Sequence, residues 1–179
     1  MTTLLIDGQL LIIRPVRVGD TAALIAMHHG LSAQTVYQRF LAGMPELAQE
    51  QADRFTHVDG SRRVALVAED PDGHLVAVGR YDRQPPDDLQ AEVAIVVTDR
   101  FQHHGLGTAL IGMLITQART AGVATFLADV LTTNAAMHRT FVDAGLTAVT
   151  SSYDSGVSHL VMPLPPVGVR PAPLGVQHI

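Results

Sequence analysis

The chain has 179 residues, enough for one domain, and 47% of them are hydrophobic while 16% are charged. Its formal net charge of −5, without a run of lysine or arginine, argues against a nucleic-acid partner. The absence of cysteine excludes disulfides, thiolate metal sites and a covalent cysteine intermediate.

The amino-terminal segment does not have the pattern of a signal peptide. No basic region precedes an apolar stretch, and Asp7-Gly8 interrupts the apolar residues. No apolar run approaches the roughly 20 residues of a membrane-spanning helix. We therefore expect a cytoplasmic protein that makes no contact with membranes.

The first third of the chain predicts a hairpin followed by helices. Strands at Leu4 to Ile6 and Leu10 to Arg14 flank Asp7-Gly8, a dipeptide typical of tight turns. Each of the next three helices is predicted from a residue that suits a first turn: Asp20 to about His28, Ser32 to about Phe40, and Pro45 to about Phe55.

The rest of the chain alternates strands and helices. Strands are predicted at 64–68, 75–81, 90–98, 125–130, 148–153 and 157–162. A polar loop at 84–88 contains two prolines that keep it out of the sheet. Helices are predicted from the loop before Thr108 to about Ala121, and from Asn134 to Gly145.

The composition changes after Met162 to a proline-rich segment without any periodicity. We interpret residues 163–179 as a tail or linker and residues 1–162 as the folded domain.

One stretch carries a recognisable chemical pattern. The apolar strand around Val93 and Val97 leads into Gln102-His103-His104-Gly105-Leu106-Gly107, and a helix follows at once. The first turn of a helix has free N–H groups and a positive dipole end, so this arrangement predicts a phosphate site. It is not a Walker loop, because no lysine follows the second glycine, and it matches the dinucleotide fingerprint only in part.

The loop fits the pattern [RQ]-x-x-G-x-[GA], and a second motif runs from Asn134 to Leu146, with an aromatic residue at 141 and Gly145 ending the helix. Together they resemble the GNAT superfamily of acyl-CoA-dependent N-acyltransferases. The resemblance implies an α/β (α+β) fold: a central mixed, mostly antiparallel sheet of about seven strands flanked by helices and splayed, at a bulge, at the acyl-CoA-binding strand.

The resemblance also implies acetyl-CoA as co-substrate. The loop from Gln102 to Thr108 would bind its pyrophosphate through backbone N–H groups and a side-chain bond from Gln102. Residues 95–97 would pair with the pantetheine, and a backbone N–H near Val97 would face the thioester oxygen. Asn134 either caps its helix or also bonds the pantetheine. Many members of the superfamily have a tyrosine, whose hydroxyl can protonate the departing thiolate, at the position where this chain has Phe141. The implied contacts are Ile95, Val96, Val97, Gln102, His103, His104, Gly105, Leu106, Gly107, Thr108, Asn134 and Phe141. No metal site is expected at His103-His104, because adjacent side chains point apart.

Glu92 is the candidate general base. It is an acid in an otherwise apolar run and precedes Val97 by five residues on the central strand. A carboxylate beside the thioester can take the proton from an attacking amine. The alternative is a strand-edge carboxylate that faces solvent or pairs with an arginine.

The front half resembles the bacterial Pat-type protein lysine acetyltransferases at Ile13-Arg14-Pro15, Tyr37 to Leu41, Val58-Asp59, Arg63 to Ala68 and Val78 to Tyr81. This implies that the acceptor is a protein lysine, typically of an AMP-forming acyl-CoA synthetase, and that a regulatory domain can be fused to the catalytic one. The alternatives are acetylation of a small-molecule amine and a non-catalytic acyl-CoA sensor.

Overall fold

A computed structural model of the chain describes residues 1–84 and 87–165. The strands are β1 (Thr2–Ile6), β2 (Gln9–Pro15), β3 (Arg63–Glu69), β4 (Leu75–Gln84), β5 (Asp87–Val97), β6 (Thr125–Leu131), β7 (Val149–Asp154) and β8 (Val157–Pro163). The α-helices are α1 (Thr21–His29), α2 (Ala33–Phe40), α3 (Gln49–Thr56), α4 (Leu106–Thr120) and α5 (Ala135–Asp143). Short 3₁₀ turns occur at Val18–Asp20 and Asp99–Phe101.

The described strands form one mixed sheet in the order β1-β2-β3-β4-β5-β6-β8-β7. Adjacent strands of the sheet run antiparallel to each other, except for β5 and β6, which are parallel. This confirms the predicted fold class. The sheet has eight strands rather than about seven, because both strands of the amino-terminal hairpin join it.

Strands β5 and β6 separate after a short contact. They pair only from Gln90–Thr125 to Glu92–Leu127, although both strands continue beyond these residues. The predicted bulge at this place is wrong. Strand β5 keeps a regular register with β4 from Ala91 to Val97, and the register shift lies at Arg83/Gln84 instead. The gap therefore opens where β6 diverges from β5, while β5 itself stays regularly paired with β4.

The sheet has a hydrophobic core on each face. One core joins α4 and α5 to residues such as Tyr81, Val93 and Phe126, and we call this side the α4–α5 face. The other core joins α1 and α3 to Val67, and Val78 and Val96 pack against it; we call this side the α1–α3 face. Because side chains alternate along a strand, neighbouring residues of β5 belong to opposite faces.

Several predicted boundaries shift in the structure. The third helix begins at Gln49 after Ala48 rather than at Pro45, since Leu47 is buried in the core and fixes the preceding segment. The predicted loop at 84–88 is shorter, because β4 extends to Gln84 and β5 begins at Asp87. Residues 85 and 86, and residues 166–179 of the predicted tail, lie outside the described residues. Strand β8 runs through Pro163, just past the predicted domain boundary.

A buried ion pair joins the hairpin to the first helix. Arg14 donates to both carboxylate oxygens of Asp20, at 2.7 and 2.9 Å, and to Glu69 Oε2 at 2.8 Å. Asp20 therefore does not cap α1 with its side chain as predicted. The hydrogen bonds that Arg14 donates to Asp20 and Glu69 outweigh the lowering effect of burial and raise the pKa of Arg14. Burial of Asp20 favours its neutral form, but the bond from Arg14 outweighs this and lowers the pKa of Asp20.

None of the helices in the described part of the chain combines the length and apolar character needed to cross a membrane.

Candidate active site

The loop after β5 ends at the amino terminus of α4. Gly105 has a φ of 81° and is the N-cap residue, a conformation that a side chain would strain. The first intrahelical bond runs from Ala109 N to Gly105 O, at 3.0 Å. The N–H groups of residues 106–108 precede it and have no acceptor within the helix, so they can bind an anion.

A cavity of about 500 Å³ lies in the gap between β5 and β6, bordered by α2, α5 and the start of α4. The predicted site residues that line it are Glu92, Ile95, Val96, Val97, Gln102, His103, Gly105, Gly107, Thr108, Asn134 and Phe141. Leu106 instead packs its side chain into the core, and His104 Nε2 lies 3.5 Å from Asp7 Oδ2 on the hairpin turn. For Leu106, the contribution to an anion site is thus limited to its backbone.

The open edge of β5 faces the gap. Leu89 O accepts a hydrogen bond from Ala124 N on the β6 side, at 2.8 Å. Because backbone groups alternate along a strand, Ile95 and Val97 direct theirs to the same side, beyond the last residue paired with β6. This edge can therefore accept an extended, amide-containing ligand as an added half-strand.

Gln102 holds the end of this edge. Its Nε2 donates to Val97 O and to Thr35 Oγ1, both at 3.0 Å. The side chain therefore uses both amide hydrogens within the protein. The bond from Gln102 to pyrophosphate stays a prediction, and the structure adds a role in fixing β5 against α2.

Asp99 ties the same loop to the start of α2. Its carboxylate accepts from Ser32 N at 3.0 Å, Ser32 Oγ at 2.7 Å and Thr35 Oγ1 at 2.8 Å. Burial alone would raise the pKa of Asp99, but the bonds from Ser32 and Thr35 lower it below its ordinary value. Ser32 also caps α2 as predicted, since its Oγ accepts from Thr35 N.

Glu92 lines the cavity from the centre of β5, directly opposite Asp82 of β4. It shares the α1–α3 face with Val96, four residues on. Arg39 of α2 is electrostatically attracted to Glu92. The structure thus places the candidate base in the cavity, and it also supplies the arginine that the alternative interpretation requires.

Helix α2 forms a further side of the cavity, and none of its residues is among the predicted site residues. Thr35, Gln38, Arg39 and Phe40 all line it. Burial and the nearby Arg80 lower the pKa of Arg39 to about 10, so it remains a cation at neutral pH. Arg80 itself pairs with Asp82 at 2.8 Å. No local pattern could show that this helix contacts a strand some fifty residues later.

The second motif forms the opposite wall. Asn134 Oδ1 accepts from Met137 N at 3.0 Å, which confirms the predicted cap. Phe141 is buried and contributes an apolar surface to the cavity. Gly107 faces this wall, since a Cβ there would lie 3.3 Å from Thr140 Cγ2 and 3.6 Å from Ile95 Cδ1. The absence of a side chain at Gly107 therefore lets α4 approach both walls.

The arrangement fits acyl-CoA chemistry in three respects. Free N–H groups at α4 suit a pyrophosphate, the open edge of β5 suits the amides of pantetheine, and the carboxylate of Glu92 can accept a proton from an amine. All three lie along the same cavity.

Comparison with known proteins agrees with this geometry. Residues 26–145 match the family model described as the acetyltransferase (GNAT) family. The acetyltransferase Pat of Mycolicibacterium smegmatis is 32% identical over 165 residues, which cover 92% of this chain and 49% of that protein. The chain thus spans about half the length of this relative.

Solved structures show the same relationship. The GNAT domain of S. lividans PAT is 34% identical, with a TM-score of 0.83 over 91% of this chain and 96% of that domain. A Salmonella typhimurium protein, yncA, solved with its cofactor acetyl-CoA, has the same fold at 20% identity and a TM-score of 0.68, over 90% of this chain and 97% of that one. The chain belongs to the GNAT acetyltransferase family, whose members use acetyl-CoA, and is related to Pat.

Proposed function

We propose that the chain transfers an acetyl group from acetyl-CoA to the side-chain amine of a protein lysine, with Glu92 as general base. The observation that carries this proposal is the position of Glu92 in one cavity with the amino terminus of α4. The similarity to proteins named Pat supports a protein acceptor.

The reaction needs a neutral amine. A free lysine has a pKa of about 10.4, so only about one molecule in a thousand is uncharged near pH 7. Glu92 would accept the proton that the amine loses as its nitrogen bonds to the acetyl carbon and the carbon–sulfur bond breaks. Phe141 has no proton to give, so solvent would protonate the departing thiolate. The backbone N–H near Val97 would donate to the carbonyl oxygen as negative charge develops on it.

The proposed acceptor is a lysine of an AMP-forming acyl-CoA synthetase. Acetylation would switch such an enzyme off by removing the ammonium charge of that lysine. This choice depends on the similarity to Pat in the front half of the chain, where α2 borders the cavity. Small-molecule amines and an acyl-CoA sensor remain the alternatives.

The test is transfer of labelled acetyl from acetyl-CoA to purified acyl-CoA synthetases, run beside a panel of small amines. We expect label on one lysine of a synthetase, identified by peptide mass analysis. Label on small amines alone would contradict the protein acceptor. Tight binding of acetyl-CoA without any transfer would contradict the proposed activity and favour the sensor.

A valine at position 105 tests the anion site. Gly105→Val places a branched side chain at a φ of 81°, which costs about 1–2 kcal/mol and disturbs the N–H groups that follow. We expect the KM for acetyl-CoA to rise about tenfold or more, because displaced N–H groups lose charge-assisted hydrogen bonds of about 1.5–3 kcal/mol to the pyrophosphate, and 1.4 kcal/mol corresponds to a factor of ten. Initial rates at varied acetyl-CoA concentration measure this.

Gly112→Ala is the matched control. Gly112 lies within α4, and a Cβ there would meet nothing within 4 Å. We expect an unchanged KM and a slightly more stable protein, since alanine favours a helix over glycine by about 1 kcal/mol. Equal acetyl-CoA affinity in Gly105→Val and wild type would exclude the loop from pyrophosphate binding.

A further inference from the structure

Two further carboxylates line the cavity opposite Glu92, Asp143 of α5 and Asp129 of β6, and Asp129 has the better-defined surroundings. Asp129 lies on β6 and lines the cavity with its neighbours Ala128 and Val130. Those two neighbours are buried in the core of the α4–α5 face. Because side chains alternate along a strand, Asp129 lies on the α1–α3 face, which Glu92 shares.

The strand register sets the relation of the two acids. Glu92 is the partner of Leu127 in the last described pair of β5 and β6. Asp129 is two residues further on, about 7 Å along β6, where the strands have separated. The two carboxylates therefore stand on opposite sides of the gap, near its narrow end.

Asp129 has a fixed partner. His159 of β8 lies directly across from it in the sheet, and its Nδ1 is 2.6 Å from Asp129 Oδ1. Among the residues that the structure describes, this contact engages one oxygen of the carboxylate and leaves the other for a ligand. The side chain of Asp129 is 54% exposed and that of His159 is 38% exposed, so a ligand can reach the pair.

Both walls carry charges of both signs, since Arg39 and Glu92 line one side of the cavity and Arg139, Asp129 and Asp143 line the other. On the β5 side the carboxylates have arginines nearby, since Arg80 pairs with Asp82 and Arg39 is attracted to Glu92. The partner of Asp129 is an imidazole, which can donate a hydrogen bond to a carboxylate in its neutral form. Among the described contacts Asp129 has no arginine or lysine partner, so its carboxylate can bind a cation in the gap.

We propose that Asp129, positioned by His159, binds the ammonium form of the acceptor lysine opposite Glu92. This inference depends on the proposed function, in which a lysine amine enters the same cavity. Asp129 would hold the cation before its proton passes to Glu92, and His159 would keep the Asp129 carboxylate turned into the gap. Asp129 thus determines affinity for a cationic acceptor, and Glu92 determines turnover.

The test uses steady-state kinetics of the full chain with Nα-acetyl-lysine amide as acceptor. Asp129→Asn keeps the size of the side chain and removes its charge. We expect the KM for the amine to rise about tenfold, as for loss of a charge-assisted hydrogen bond at a half-exposed site, with kcat and the KM for acetyl-CoA changed less than twofold. Added salt should raise the KM of wild type for the amine, because it screens the charge of Asp129, and should raise the KM of the variant less.

Three further variants separate positioning from structure. His159→Leu should raise the KM for the amine, and His159→Gln, which retains an N–H donor, should restore it. Asp154→Asn alters an exposed acid that bonds only Ser155 Oγ among the contacts described and does not line the cavity, so it should match wild type. Thermal melting of each variant checks that it is folded.

The outcomes are distinct. An unchanged amine KM in Asp129→Asn, or a fall in kcat alone, overturns this inference while wild-type transfer leaves the proposed function intact. If wild type transfers acetyl to no lysine amine, the proposed function fails and this inference fails with it.

Discussion

Glu92→Gln is expected to lower kcat about 10²–10⁴-fold, the usual contribution of a general base. The amide keeps the size of the side chain but cannot accept the proton that the attacking amine loses. Because Glu92 contacts the acceptor end of the cavity in our proposal, the KM for acetyl-CoA should change little. Initial rates with a labelled lysine acceptor and direct titration of acetyl-CoA measure the two effects separately.

The pH profile distinguishes a base from a structural acid. As the pH approaches the lysine pKa of about 10.4, the amine loses its proton without help, so the deficit of Glu92→Gln should shrink. A deficit that is the same at every pH would instead indicate that Glu92 orders Arg39 or the strand. Equal turnover of variant and wild type would remove Glu92 from the mechanism.

Asp82→Asn is the matched control for Glu92. Asp82 lies directly opposite Glu92 in the sheet and pairs with Arg80, but it does not line the cavity. We expect this variant to lose some stability and to keep kcat within a few-fold of wild type. A loss of kcat as large as that of Glu92→Gln would show that turnover depends on the summed charge of the acids and arginines around Glu92 rather than on Glu92 as a base.

Arg14→Met is expected to give the largest loss of stability, about 3–5 kcal/mol in the free energy of unfolding. Arg14 is 7% exposed and Asp20 is 8% exposed, so the substitution leaves Asp20 buried without its strongest partner. Glu69 loses its bond at the same time. Urea unfolding at neutral pH measures the difference.

Arg62→Met supplies the comparison. Arg62 pairs with Asp88 at 2.6 Å, but both side chains are 50% exposed, so its removal should cost at most about 1 kcal/mol. The deficit of Arg14→Met should also depend on pH. Because the pKa of folded Asp20 is lowered, its stabilisation is present above its ordinary pKa and is lost as the pH falls through the folded value. A deficit below 1 kcal/mol at neutral pH would contradict the role of the pair.

The sequence predicts those parts of the fold that depend on local signals. Gly105 before α4, Ser32 before α2 and Asn134 before α5 each mark a helix start that the structure confirms. Helix α4 begins at Leu106 rather than Thr108, so Gly107, predicted to lie in the loop, belongs to the helix. Pro45 misleads because a proline suits a first turn as well as the segment before one, and the burial of Leu47 decides between them.

The residues of the candidate site likewise fall into those that local sequence predicts and those that only tertiary packing brings together. The loop and Glu92 belong to one continuous stretch, so their proximity in space follows from their order in the chain. Arg39 and Asp129 come from α2 and β6, and they reach the cavity only through the packing of α2 on β5 and the separation of β6 from it. Pairwise contacts of this kind have no signature in a single sequence. Gln102 shows a further limit of prediction from sequence. Its motif position suggests a bond to the ligand, but its side-chain amide donates to Thr35 and Val97 within the protein.

The bonds of Asp99 have a consequence for how the two substrates affect each other's binding. Ser32 and Thr35 begin α2, and Asp99 and Gln102 join them to the loop beside α4. A ligand that restrains the loop therefore also restrains the first turn of the helix on the acceptor side. Coupling between two bound ligands is reciprocal, so under the proposed function acetyl-CoA and the acceptor would each raise the affinity for the other by the same factor. Restraint of the loop by acetyl-CoA would give the acceptor a more rigid wall, and restraint of α2 by the acceptor would give tighter binding of acetyl-CoA.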